Sequence, residues 1–161
     1  MSVIDVSKLK YRKNVGMVLI NAQGHIFAGK RIDNNTGAWQ MPQGGIDAGE
    51  DPATAALREL EEETGIPAAS VKVVAETEDW IPYELPHTLV PKLWNGQFRG
   101  QEQKWFLLRF TGDDSLINIE TAEPEFCEWS WIKPEELLDK IVPFKRATYE
   151  HVFREFSYLI G

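Results

Sequence analysis

The stretch from Asp51 to Gly65 does most to restrict what this chain can become. Asp51 is a favourable helix N-cap, Pro52 suits the first helical position, and Gly65 suits a left-handed stop. The spacing predicts a helix over about Pro52–Thr64, with Ala53, Leu57 and Leu60 on one inward stripe. Glu59, Glu62 and Glu63 stand at i, i+3 and i+4. At about 100° per residue they project from one side of the helix, away from the apolar stripe. Like charges so placed repel, by roughly a few tenths of a kcal/mol for an i,i+4 pair. A solvated acidic face is the plain reading of such a helix. A set of cation ligands is the sharper one, and spacing within the helix does not choose between them.

The rest of the chain supplies strands for this helix to lie on. Val15–Ile20 is an apolar run, Asn21-Ala22-Gln23-Gly24 is a turn signal, and Ile26–Lys30 reads as the return strand of a hairpin. Ala38–Met41 is a short extended piece ending at Pro42. Val71–Trp80, Gln103–Phe110 and Phe126–Ile132 are rich in β-branched and aromatic residues and read as strands. A second, short helix begins near Pro134 and takes in Leu137, Leu138 and Ile141. A third, about Lys145–Ile160, carries a core stripe of Tyr149, Val152, Phe153, Phe156 and Ile160. Strands mixed with helices through hairpin-like connections predict an α+β fold with a mixed sheet, not a repeated βαβ unit. Pro82–Gly100 has few periodic features, and such loops serve either as lids over a substrate or as mobile inserts.

With 161 residues and neither repeat nor linker, the expectation is a single domain over residues 1–161. A composition 43% hydrophobic and 26% charged excludes a disordered chain. No apolar run approaches the roughly 18 residues of a membrane span, and Met1–Lys10 lacks the core of a signal peptide. The lone Cys127 excludes an intramolecular disulfide and a cysteine-built metal centre, which suits a cytoplasmic protein with no membrane partner. His25, His87 and His151 match no ligand spacing. The net charge of −8 argues against an extended nucleic-acid surface, so a nucleic-acid substrate would be held near one end.

Context decides the reading of the helix. Gly44 is followed after five residues by Glu50, and seven residues later come Arg58-Glu59-Leu60, then Glu62-Glu63, Gly65 and Ile66. This register resembles the Nudix box at each defining position from Gly44 to Ile66. The resemblance implies a loop–helix–loop set in an α/β/α sandwich with a mixed sheet, and hydrolysis of a phosphoanhydride. Divalent ions suit that chemistry, since they neutralise the phosphate oxygens, activate water and steady the leaving oxygen. Mg²⁺, with Mn²⁺ as a substitute, prefers oxygen ligands and keeps several waters, so a few carboxylates suffice. By the resemblance Glu59, Glu62 and Glu63 are the metal ligands, joined by the Gly44 carbonyl. Arg58 and Glu50 are orienting partners, because a guanidinium braces carboxylates in a fixed fork. Glu61 falls at a variable position.

Beyond the box, Glu123-Pro124-Glu125-Phe126 and Glu128-Trp129-Ser130-Trp131 resemble a segment of the bacterial RNA pyrophosphohydrolases and plant-type diadenosine tetraphosphate hydrolases. That segment supplies a further carboxylate, as base or metal ligand, and Glu125 is its counterpart. Tyr11–Gly16, Trp39–Gly45, Gln103–Leu108 and Phe144-Lys145-Arg146 are similar to the same subgroup. The implied substrate is a nucleotide polyphosphate or the 5′ end of an RNA. Arg12, Arg31, Lys104 and Lys145 are candidate phosphate contacts, and Tyr83 and Phe144 are candidates to stack on a base. Removal of pyrophosphate from 5′-triphosphorylated RNA is the preferred activity; splitting of dinucleoside polyphosphates is the alternative. A non-catalytic binding module is disfavoured, because the box carboxylates are intact.

Overall fold

The strands legible as apolar runs all form, and several extend well past those runs into polar sequence. The computed structural model describes residues 8–32, 37–84 and 98–160. Its elements are β1 (Lys10–Ile20), β2 (Ile26–Arg31), β3 (Trp39–Gln40), β4 (Gln43–Gly45), α1 (Pro52–Thr64), β5 (Val71–Glu76), β6 (Ile81–Glu84), β7 (Phe98–Phe110), β8 (Phe126–Ile132), α2 (Pro134–Leu138) and α3 (Arg146–Ile160). The expected loop over 82–100 is strand at both its ends, in β6 and β7. Its middle, 85–97, lies outside the described residues.

β1 is the axis of the sheet. On one side it runs parallel to β7, from Lys10 beside Phe98 to Ile20 beside Arg109. Its other side is shared by β4, antiparallel through Val15 and Gly44, and by β2, antiparallel at Ile20 and Ile26. β3 and β8 pair with β2, and β5 and β6 pair with β7, all antiparallel. The sheet is therefore mixed, with its parallel pairing at the centre.

Alternation across the strands sends successive side chains to opposite faces. Val15, Met17 and Leu19 of β1 join Phe106 and Leu108 of β7 against Ala55, Ala56 and Leu60 of α1. Val18 and Ile20 join Trp105 and Leu107 on the other face, against Leu137 of α2 and Tyr149, Val152 and Phe156 of α3. Helices thus cover both faces, giving the α/β/α sandwich with a mixed sheet. Among the described residues no helix is long and apolar enough to cross a membrane.

Local chemistry explains the boundaries. The Asp51 carboxylate accepts the Ala53 N–H at 3.1 Å, and Gly65 closes α1 at φ 76°, where a side chain would be strained. β5 stops at Glu76, short of the expected Trp80; at buried Thr77, which follows, the hydroxyl oxygen accepts the Trp105 N–H at 3.1 Å. α2 ends before Ile141, and a 3₁₀ turn over Pro143–Lys145 precedes α3. The buried set of α1 is Ala55, Ala56, Leu60, Glu63 and Thr64, with Leu57 and Ala53 only half-buried. The inward stripe is rotated from its expected position, and a carboxylate lies within it.

Candidate active site

Glu59, Glu62 and Glu63 share a helix but not an environment. Glu62 is mostly exposed, with 57% of its side chain accessible, whereas that of Glu59 is 17% accessible. Glu63 is only 4% exposed, so it does not point to solvent with the others as the helical spacing predicts. It continues the buried row of Ala56 and Leu60. Its Oε2 has no hydrogen-bond partner among the described residues. Burial pushes the Glu63 carboxyl well above its usual range, and the charges of Glu59 and Glu125 push the same way. Glu59 is raised as well, chiefly by burial, against the opposing pull of Arg58.

One turn away the electrostatics reverse. Arg58 Nε and Nη2 donate to the two Glu50 carboxylate oxygens, each at 2.9 Å. Nη2 also reaches the Gly45 carbonyl at 3.0 Å, while Nη1 reaches Glu59 at 3.0 Å and Glu62 at 3.2 Å. Glu50 accepts the Asp47 N–H at 3.0 Å too. The guanidinium first, and that N–H second, hold the Glu50 carboxyl down at about 2. Arg58 therefore ties the Gly45–Glu50 loop to the helix and braces the outer carboxylates.

Gly44 sits on β4, paired with Val15 of β1. A Cβ there would collide with the Glu59 carboxylate, so the missing side chain is what lets β4 and α1 meet. Glu125 arrives from the opposite direction, just ahead of β8. Its carbonyl accepts the Ile32 N–H at 3.0 Å, and the chain leading to it is pinned on the end of α1 by the Asn118 N–H, 2.7 Å from the Thr64 carbonyl.

A cavity of about 390 Å³ opens against these groups. Glu59, Glu63, Glu125 and Gly44 line it together with Arg12, Arg31, Phe144 and Lys145. A second cavity, of about 430 Å³, lies against Glu59, Glu62, Glu63, Glu123 and Glu125. The carboxylates thus form a wall between a cation-lined and an acid-lined space. Lys104 is not part of the first cavity; its ammonium donates to the Glu78 carbonyl at 3.0 Å. Tyr83 pairs with Gln101 through the backbone, and its side chain lies outside the described residues. Sequence reasoning missed the amides of the first cavity: Asn14, Gln40, Gln43 and Gln101. Their one signal is polar residues recurring at alternate positions of β7, Gln101 and Gln103, in register with apolar Trp105.

The divalent ion that the sequence implies fits this corner. Its donors are hard oxygens, one of them is buried and unpartnered, and burial first, with like charge beside it, holds Glu59 and Glu63 above their usual range. Among the described residues no three acidic, histidine or cysteine side chains stand as a closed ligand set. Arg58 donates to both the Glu59 and the Glu62 carboxylates there.

A family profile described as the NUDIX domain matches residues 10–152. An RNA pyrophosphohydrolase of Roseobacter denitrificans is 58% identical over 153 residues, 95% of this chain and 96% of that protein. One of Rickettsia canadensis is 55% identical over 152 residues, 94% of this chain and 93% of that protein. Among solved structures, a C. elegans Ap4A hydrolase binary complex superposes with a TM-score of 0.69 at 21% identity, covering 92% of this chain and 97% of that one. The E. coli dihydroneopterin triphosphate pyrophosphohydrolase gives 0.67 at 19% identity, covering 89% and 97%. These two likenesses speak to the fold.

Proposed function

The chain belongs to the NUDIX family, whose hydrolases act on pyrophosphate bonds with divalent cations, and from that premise we propose that it removes pyrophosphate from the 5′ end of triphosphorylated RNA. The observation that carries this reading is a single cavity lined both by carboxylates and by Arg12, Arg31 and Lys145. Its volume of about 390 Å³ suits a polyphosphate and part of a nucleoside, not a long strand. The net charge of −8 agrees with a grip confined to the RNA end. The relatives that share 54–58% of their residues with this chain and bear the name RNA pyrophosphohydrolase favour RNA over a dinucleotide.

In this reading Glu59, Glu62, Glu63 and the Gly44 carbonyl hold Mg²⁺, with Mn²⁺ able to substitute, and Glu125 is a further ligand or the base. Bound there, the ion would supply charge neutralisation, an activated water and a stabilised leaving oxygen. The chain's own side chains do the rest. Arg12, Arg31 and Lys145 neutralise and orient the polyphosphate. Phe144 offers a face for the first base. Arg58, fixed by Glu50, keeps Glu59 and Glu62 from splaying apart. A cytoplasmic setting, where such RNA is made, completes the proposal.

The test is kcat/KM for triphosphorylated RNA and for diadenosine tetraphosphate, measured side by side in the same Mg²⁺. RNA is expected to be the better substrate. A preference of more than about tenfold for the dinucleotide would replace the RNA reading with the dinucleoside polyphosphate one.

A further inference from the structure

Behind the cavity the side-chain amides form a chain whose direction is fixed by chemistry. The indole Nε1 of Trp105, which is fully buried, donates to Gln103 Oε1 at 3.1 Å. An indole N–H can only donate, so Gln103 must offer it oxygen and turn its nitrogen the other way. That nitrogen lies 3.0 Å from Gln101 Oε1 and 3.3 Å from Gln43 Oε1. An amide NH₂ carries hydrogens and accepts nothing, so Gln101 and Gln43 must each present oxygen to Gln103. Their own NH₂ ends are thereby turned away from Gln103, and both residues line the cavity. Trp105 and Gln103 do not line it.

A polyphosphate offers only acceptors on its outer oxygens. Toward it, an amide held nitrogen-first attracts, and the same amide flipped repels. We propose that Trp105, acting through Gln103, is a positioning residue that keeps the Gln43 and Gln101 amides donor-first toward the polyphosphate. The buried indole sets the polarity of a wall it does not touch. Gln40 follows the same logic on another side of the cavity: Lys145 Nζ, which can only donate, sits 3.3 Å from its Oε1. The inference rests on the polyphosphate reading of the site but not on RNA as its bearer.

The experiment uses the full chain and both substrates, triphosphorylated RNA and diadenosine tetraphosphate. Trp105→Phe keeps an aromatic ring and deletes the N–H. On whichever substrate the wild type prefers, it should raise KM about fivefold to tenfold while kcat stays within about twofold. In a Gln43→Met/Gln101→Met background, adding Trp105→Phe should move KM by less than about twofold, because there are no amides left to orient. An unchanged KM for Trp105→Phe, or the same rise in both backgrounds, overturns the proposal in favour of packing alone. Should Trp105→Phe not fold, Gln103→Met interrupts the chain with the indole in place. It should show the same rise in KM, and an unchanged KM there overturns the proposal equally. A wild type that prefers the dinucleotide defeats the RNA reading and leaves this test intact, since both substrates carry the polyphosphate.

Discussion

The pair Arg58–Glu50 and the group Glu59–Glu63–Glu125 meet at α1, which supplies Arg58, Glu59 and Glu63, and they are built to opposite rules. Around Arg58 every charge has a partner: two bonds to Glu50, one to the Gly45 carbonyl, others to Glu59 and Glu62. Around Glu63 the carboxylate is buried, one oxygen has no partner among the described residues, and Glu59 and Glu125 repel it more than Arg31 attracts it. The first arrangement is what a fold uses to hold a loop on a helix. The second costs stability unless something outside the chain neutralises it, which is the part the proposed function gives to a divalent ion.

The sharpest way to break the comparison is Glu63→Gln. Activity should fall by about a hundredfold or more with the fold intact, since metal-borne stabilisation is lost. Stability should move the other way in chelator-treated protein. The Glu63 carboxyl is raised above 4.5, so its ionisation is costlier folded than unfolded. Its contribution to stability is fully present below pH 4.5 and is lost as pH rises through the folded value. Glu63→Gln escapes that loss, so its melting temperature should exceed the wild type's by a margin that grows with pH. Near-normal turnover by the folded variant, or a margin independent of pH, would erase the contrast between the two regions.

Arg58→Lys tests the other side. It keeps the charge and abolishes the fork, and should cost about 1–3 kcal/mol in denaturant unfolding together with roughly tenfold in turnover. Here the pH sign is reversed. Glu50 sits at about 2 instead of 4.5, so the brace stabilises above pH 4.5 and that contribution fades as pH falls toward 2. The difference between Arg58→Lys and the wild type should therefore shrink in acid. A difference that stays constant across that range would mean that Glu50 is not its source. The smallest effect is expected from Lys104→Ala. Its ammonium already serves the Glu78 carbonyl outside the cavity, so KM should change by less than about twofold. A larger rise would return Lys104 to the list of phosphate contacts that the sequence suggested.

Much of this was readable before the structure, and the failures share a cause. Asp51, Pro52 and Gly65 carry their own capping chemistry, so the bounds of α1 came out as expected. β1 and β7 were read short because their first residues are largely polar: Arg12 and Asn14 on one, Gln101 on the other. Those side chains serve the cavity and its backing, and hydrophobic periodicity is blind to a strand whose inward face meets a ligand instead of a core. The same blindness put Glu63 on the solvent side of α1. A buried carboxylate looks, in sequence, like an exposed one. The meeting of Glu125 with Glu59 and Glu63 was legible only by resemblance, since no local pattern joins residues so far apart along the chain.

That distance has a consequence for how the protein comes into being. The central pairing sets Arg12 beside Gln101, and so joins a strand near the start of the chain to one far along it. Contacts of such long sequence separation form slowly, because the intervening chain must be ordered before they can close. During synthesis the carboxylate helix leaves the ribosome well before β7 does. A nascent chain halted between them would bear the acidic helix but lack Gln101, Glu125, Phe144 and Lys145, which complete the cavity. Competence for catalysis should then arrive late and abruptly, once the seventh strand and the later Glu125, Phe144 and Lys145 have all emerged, instead of accumulating as the chain grows.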